Sequence, residues 1–89
     1  MTTPIRPIDP SHRSTLGSLV TDQLRDHVIH GRFEPGTVLG EVNLAAQFGV
    51  SRGPVREALQ RLVQEGLLRR EPRRGISVPR LASADLRDI

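Results

Sequence analysis

GVSRGPVREALQRLVQEGLL, residues 49–68, is the stretch that decides the fold of this chain. After the serine, its apolar residues recur at the spacing of one helix face and continue to a glycine that can end a helix. Ser51 is a preferred N-cap residue, and Pro54 falls in the first turn, where backbone N–H groups have no partner within the helix. The stretch therefore predicts an amphipathic helix over about Ser51–Glu65, buried along one side.

Two more helices are predicted before this one. Apolar residues that recur every four positions predict a first helix between Leu16 and Gly31. A second, shorter helix is predicted over about Glu41–Phe48, and Gly49 ends it. Between them, a Pro-Gly turn precedes a short strand candidate, Thr37–Leu39. Seven apolar residues on the three helices form the predicted core: Leu16, Val20, Leu24, Leu44, Phe48, Leu59 and Leu62.

A β-hairpin is predicted after the third helix. The strand-like segments LLRRE and ISVPR are joined by PRRG, which places Arg73, Arg74 and Gly75 at or near the hairpin tip. The predicted fold is therefore mostly α with a small β-hairpin, a winged helix-turn-helix of three helices and a wing at about Pro72–Gly75.

Three regions are predicted along the chain. Residues 1–13 contain three prolines and no periodic apolar pattern, so they are expected to form a flexible or extended leader. Residues 14–80 form the predicted domain. Residues 81–89 predict a linker or the start of a further domain, because Ser83 is a candidate cap for a new helix whose apolar pattern the sequence does not continue. We therefore expect the sequence to be the first domain of a longer protein.

Length and composition limit the classes of function. Eighty-nine residues support one small core, and without cysteine the chain has neither a disulfide nor a thiolate metal site. No apolar run is long enough to span a membrane. The sequence shows no phosphate loop, nucleophile signature or complete metal-ligand set. We expect no catalysis, no metal, no cofactor in this segment, no membrane partner and a cytoplasmic location.

Positive charge is concentrated in the second half of the chain. The formal net charge is +3, yet residues 52–80 alone carry eight arginines and three glutamates. All thirteen basic residues are arginines, whose planar fork matches phosphates and guanine edges. A GC-rich genome also favours arginine, so the clustering is the stronger signal. Clustered positive charge attracts phosphate groups and indicates a nucleic-acid partner.

The predicted third helix has the features of a DNA-reading helix. Two helices joined by a glycine-containing turn place the second helix in a major groove, where its first residues meet the base edges. Arg52 and Arg56 are four residues apart, so both project from one face toward a guanine edge or a phosphate. Ser51 and the helix N-terminus suit a phosphate, and Gly53 permits a close approach of the backbone.

Other interpretations of the same residues stay open. Arg56 with Glu57, or Arg61 with Glu57 and Glu65, form weak surface ion pairs if this face is simply solvated, and the hairpin tip is then only a charged turn. A winged-helix module that binds protein is a second class of function, although the chain has only two aromatic residues to anchor such an interface. An enzyme activity enters only through a further, C-terminal domain.

The sequence resembles a known family. Residues 31–78, GRFEPGTVLGEVNLAAQFGVSRGPVREALQRLVQEGLLRREPRRGISV, are similar to the DNA-binding domain of GntR-type bacterial transcription regulators, and the resemblance covers about residues 16–80. The LGEVNLA spacing and the ADLRDI ending are similar to the FadR/FCD subgroup. The resemblance implies a repressor or activator that binds a short palindromic operator in double-stranded DNA as a homodimer. It also implies a small-molecule effector that acts through the missing C-terminal domain.

The resemblance also implies which residues contact DNA. Base contacts fall on Arg52 and Arg56, and a wing contact falls on Gly75. Many members carry an arginine at the start of the second helix, where this chain has Val42 or Asn43, so Asn43 replaces a phosphate contact weakly. The complete predicted set of DNA-binding residues is Asn43, Ser51, Arg52, Gly53, Pro54, Arg56, Arg73, Arg74 and Gly75.

Overall fold

The computed structural model describes residues 5–8 and 15–80. Its elements, in chain order, are helices α1 (Leu16–Ile29), α2 (Glu41–Phe48) and α3 (Arg52–Gln64), and strands β1 (Arg69–Glu71) and β2 (Gly75–Ser77). The predicted fold class, three helices and a hairpin, is confirmed. The predicted leader lies only partly within the described residues, and the predicted linker at 81–89 lies outside them.

The turn between α2 and α3 depends on one glycine. Helix α2 ends at Phe48, and Gly49 follows it with φ of 73° and ψ of 34°, in the left-handed region. The Gly49 N–H donates to the carbonyls of Ala45 and Ala46, which closes the last turn of α2. Residues that carry a Cβ are strained at this φ, so glycine is favoured at position 49. Gly49 ends α2 and sets the direction in which the chain enters α3.

Replacing Gly49 tests this dependence. We expect Gly49→Ala to lower the free energy of unfolding by about 1 kcal/mol, because alanine is strained at positive φ. Urea unfolding with unchanged m-value measures this loss. The matched control is Gly53→Ala in the first turn of α3, where an added Cβ meets no atom within 4 Å and φ is not positive. Equal losses in the two variants would show that the turn does not need glycine.

Helix α3 begins after the predicted N-cap residue. Ser51 occupies the N-cap position with an extended backbone, as predicted, but its side chain makes no capping hydrogen bond. Pro54 lies in the first turn and is half-buried. The predicted apolar stripe is confirmed, since four residues of α3 are buried: Val55, Ala58, Leu59 and Leu62.

The core lies where α1 and α2 pack against α3. Six of the seven predicted core residues are buried, and the exception, Leu16, is half-buried. Leu16 is the first residue of α1, so its side chain points back past the end of the helix. The chain segments that flank the helices complete the core with three more buried residues: Leu39, Leu68 and Val78.

The hairpin has shorter strands than the sequence predicts. Strands β1 and β2 are antiparallel, and Arg70 pairs with Ile76 at the centre of the register. The predicted strand Thr37–Leu39 is reduced to a single bridge between Val38 and Ser77. Its three residues lie between the Pro-Gly turn and the start of α2, which leaves no length for a regular strand. The segment still covers the free edge of β2, because the Leu39 N–H donates to the Ile76 carbonyl at 2.8 Å.

Part of the predicted leader is packed against the helices. The Ile8 N–H donates to the carbonyl of Phe48 at 3.0 Å, so it satisfies the last residue of α2. The Arg6 backbone exchanges hydrogen bonds with the Gln23 side chain on α1. Ile5 and Ile8 also pack against the core. No periodic pattern in the sequence predicts these contacts.

Candidate nucleic-acid interface

The two flanks of α3 have different partners. On one flank, the Arg25 side chain of α1 holds Glu65, just beyond the end of α3, with N–O distances of 3.0 and 2.7 Å. On the other flank, Arg56 reaches the start of α2. The exposed residues of α3 between these two flanks, among them Gly53, face away from the buried stripe. Helix α3 is therefore held along its length and on both sides, and its outer face stays accessible.

Arg56 forms a two-point ion pair with Glu41, the first residue of α2. Its Nε donates to Oε2 and its Nη2 donates to Oε1, both at 3.2 Å. The hydrogen bonds from Arg56 hold the pKa of the Glu41 carboxyl below its ordinary value, and the positive charges of Arg56 and Arg52 act in the same direction. The same bonds raise the pKa of the Arg56 guanidinium. Glu41 is therefore ionised at neutral pH and oriented toward Arg56.

Arg52 is the first residue of α3 and lies one turn before Arg56. It is exposed, and its side chain forms no ion pair with residues 5–8 or 15–80. Its charge is close enough to Glu41 to lower the pKa of that carboxyl. The two arginines that the sequence selects therefore have different surroundings: Arg56 is held by Glu41, and Arg52 extends toward solvent.

The other predicted residues near the N-terminus of α3 are accessible. Ser51 and Gly53 are exposed, and no described residue outside the helix requires glycine at position 53, because a Cβ there meets no atom within 4 Å.

Asn43 is exposed on α2, and its Oδ1 accepts a hydrogen bond from Gln47 at 3.0 Å. Val42, beside Asn43, is 64% exposed, at the place where the resembling family often carries arginine.

The wing has the predicted arginines at its tip. Arg73 and Arg74 lie in the turn between the strands, and the Arg74 N–H donates to the Glu71 carbonyl. Gly75 is the first residue of β2 and pairs with Glu71, with φ of 95°. A turn followed by a residue of positive φ is a common geometry of three-residue hairpin loops, so glycine is required here. The Arg74 guanidinium also donates to the Gly36 carbonyl at 3.1 Å, whereas Arg73 forms no ion pair with the described residues.

Sequence reasoning missed the partner of Arg56. The surface pairs considered as alternatives, Arg56 with Glu57 and Arg61 with Glu57 or Glu65, form no direct ion pair in the described part of the chain. The charge of Arg61 still lowers the pKa of the Glu65 carboxyl, whose main partner is Arg25. Glu65 pairs with Arg25 instead. Glu41 is 15 residues from Arg56. The one sequence signal that relates them is that Glu41 begins α2 and Arg56 lies one turn into α3, two helices joined by a tight turn.

The described residues form neither a metal-binding cluster nor a membrane-spanning helix. Among residues 5–8 and 15–80, no group of three or more histidine, cysteine, aspartate or glutamate side chains is arranged to hold a metal ion. Over the same residues, no helix has the length and apolar character that crossing a membrane needs. Buried His27 packs its ring near Phe33, with 5.7 Å between the ring centroids, and His30 pairs with Asp26.

Three packed helices, a tight turn into α3 and an arginine-tipped hairpin define a winged helix-turn-helix domain of the DNA-binding class. Residues 16–78 match the family described as bacterial regulatory proteins, gntR family. The chain belongs to this GntR family and is the DNA-binding domain of a transcriptional regulator.

Relatives and solved structures agree with this assignment. The chain is 43% identical over 77 residues to the gluconate operon transcriptional repressor of Bacillus licheniformis. The matched region covers 86% of this chain and 31% of the relative. A GntR-family transcriptional regulator from Pseudomonas syringae superposes with a TM-score of 0.78 at 38% identity, over 93% of this chain and 34% of that one. The chain therefore spans about a third of the length of these two relatives.

A third similarity is to a DNA complex. The DNA-binding domain of AraR, solved in complex with its operator ORE1, superposes with a TM-score of 0.66 at 28% identity. The match covers 82% of this chain and 90% of the AraR domain. An isolated domain of this fold and similar length therefore binds operator DNA in that relative.

Proposed function

We propose that this domain binds one half of a palindromic operator, with α3 in the major groove and the hairpin tip against the DNA backbone or minor groove. The observation that carries the proposal is Arg52: an exposed arginine at the first residue of α3, without an ion pair to the described residues. The first residues of the second helix meet the base edges in this motif, and arginine forks onto guanine O6 and N7.

Each predicted residue has a role in this proposal. Arg52 and Arg56 contact bases, while Gly53 and Pro54 let the backbone of α3 approach the DNA. The exposed Ser51 hydroxyl makes no cap bond, so it is available to a phosphate together with the first N–H groups of α3. Four residues make weaker or sequence-independent contacts: Asn43, Arg73, Arg74 and Gly75.

We propose that the whole protein is a metabolite-responsive repressor of the FCD subgroup that acts as a homodimer in the cytoplasm. Repression is supported by the relative named as the repressor of a gluconate operon. The relatives are about three times as long as this chain, and their additional length has room for a domain that dimerises and binds a small effector. A single domain then binds a half-site weakly, because it lacks the avidity of a tethered pair.

Selection from a random pool of double-stranded DNA tests the proposal. We expect the 89-residue chain to enrich a short palindrome or its half, with affinity that falls steeply as salt rises. Salt-sensitive binding without an enriched sequence would show a basic domain that does not read bases. Absence of binding would favour a module that binds protein.

Arg73 provides a quantitative test of the wing. We expect Arg73→Ala to weaken binding to enriched and scrambled duplexes alike and to reduce the salt slope by about one, because a phosphate contact carries no sequence information. Fluorescence anisotropy at several salt concentrations measures both effects. Arg32→Ala is the matched control, since it removes the same charge from a residue paired with Asp26 on α1. A loss restricted to the enriched duplex would instead make Arg73 a base reader.

A further inference from the structure

We propose that Glu41 determines specificity: its carboxylate orients Arg56 toward a base edge and keeps that arginine from binding phosphates of any sequence. The inference rests on the proposed DNA-binding function of α3. Glu41 itself is a positioning residue, because it acts through Arg56.

The geometry of the pair leaves one side of the Arg56 guanidinium available. The guanidinium has five N–H donors in a planar fork. Glu41 accepts from Nε and from one N–H of Nη2, which are on the same edge of the plane. The remaining donors, on Nη1 and Nη2, form the outer end of the fork, which is the arrangement that matches guanine O6 and N7. The carboxylate therefore fixes the plane of the guanidinium without occupying the end that reads a base.

The pair is also accessible to DNA. The Arg56 side chain is 54% exposed and the Glu41 side chain is 32% exposed. Glu41 is the first residue of α2 and Arg56 lies one turn into α3, near the helix starts at which the helix-turn-helix motif approaches the duplex. A base edge can therefore reach Arg56 while Glu41 still holds it.

The charge of Glu41 acts against non-specific binding. An isolated arginine attracts any phosphate, and such contacts supply most of the non-specific affinity of DNA-binding proteins. Beside Glu41, the net charge of the pair is zero, and the carboxylate repels phosphates that approach Arg56. A directional fork onto guanine remains favourable, because guanine O6 and N7 are neutral acceptors. Specificity rises because the competing backbone contact is weakened.

The chain contains a matched control for this effect. Glu65 is also held at two points by an arginine, Arg25, and lies beyond the other end of α3. Glu65→Gln therefore changes the charge by the same amount and weakens a similar ion pair. It does so between α1 and the end of α3, away from the first turns of α2 and α3.

The test compares the 89-residue chain with E41Q and E65Q on the enriched duplex and on a scrambled duplex of equal length. We expect E41Q to bind the scrambled duplex more tightly, with a salt slope steeper by about one phosphate contact. The ratio of the affinity for the enriched duplex to the affinity for the scrambled duplex is expected to fall about tenfold. This fall is part of the discrimination that one bidentate contact supplies. E65Q is expected to leave the ratio within about twofold of the original.

Arg56→Ala and the E41Q/R56A double variant complete the experiment. If Glu41 acts through Arg56, E41Q has no further effect on the ratio once Arg56 is absent. An unchanged ratio in E41Q, an equal fall in E65Q, or a full effect of E41Q without Arg56 each overturns the inference and leaves the proposed function intact. A parent chain that does not prefer the enriched duplex overturns the proposed function itself, and the inference with it.

Discussion

Phe48→Ala is expected to lower the free energy of unfolding by about 3–5 kcal/mol, because the phenyl ring fills a site that the remaining core does not close. Phe48 is the last residue of α2 and is fully buried, and its carbonyl accepts the N–H of Ile8. Small domains are stable by only about 5–15 kcal/mol, so the variant is left marginal. Thermal unfolding followed by circular dichroism measures the loss as a fall of more than about 10 °C in Tm.

The control for Phe48 is another large apolar side chain that the structure leaves exposed. Ile29, the last residue of α1, is 59% exposed, and Ile29→Ala removes a comparable apolar group from water rather than from the core. We expect this variant to stay within about 0.5 kcal/mol of the parent chain. Similar losses in the two variants would contradict the packing of α2 against α3 around Phe48.

Arg52→Ala is expected to weaken binding to the enriched duplex by about 1–3 kcal/mol and to relax the preference at one base pair. The reason is the position of Arg52 at the first residue of α3, exposed and without an ion pair to the described residues. Competition with duplexes changed at each base pair in turn measures the effect. It identifies the base pair at which the preference disappears.

Arg52→Lys separates base reading from charge. Lysine keeps the positive charge but loses the planar fork, so we expect the salt slope to stay and the preference at one base pair to fall. Retention of both affinity and preference in Arg52→Ala would show that α3 is not the helix that reads DNA. If Arg52→Ala reduced the salt slope but left the base preference unchanged, Arg52 would be a phosphate contact.

The helices and their order could be predicted because their signals are local. The apolar stripe of α3 has the helical period, Gly49 and Gly66 interrupt the pattern, and both glycines have positive φ in the structure. The bounds of α2 agree with the prediction at both ends. Periodicity and turn chemistry depend on residues within about one or two turns of each other, and the sequence contains all of that information.

Two local features of the prediction are expressed only in part. Ser51 is the N-cap residue of α3, as predicted, yet its hydroxyl makes no capping hydrogen bond. The strand candidate at Thr37–Leu39 was predicted as a short apolar run after the Pro-Gly turn, but the start of α2 leaves room for only one bridge, at Val38. In both places the local preference is real, and the chain on either side decides whether it is expressed.

The sequence by itself determined the class of fold, the helix that presents arginines and the concentration of positive charge after residue 51. Only the tertiary structure decided that Arg56 is held by Glu41, that Glu65 pairs with Arg25 and that Ile8 satisfies the end of α2. These contacts join residues 15 to 40 positions apart. These residues come into contact because of the angle at which Gly49 turns α2 into α3 and because of the way the core packs. No local pattern in the sequence encodes these contacts.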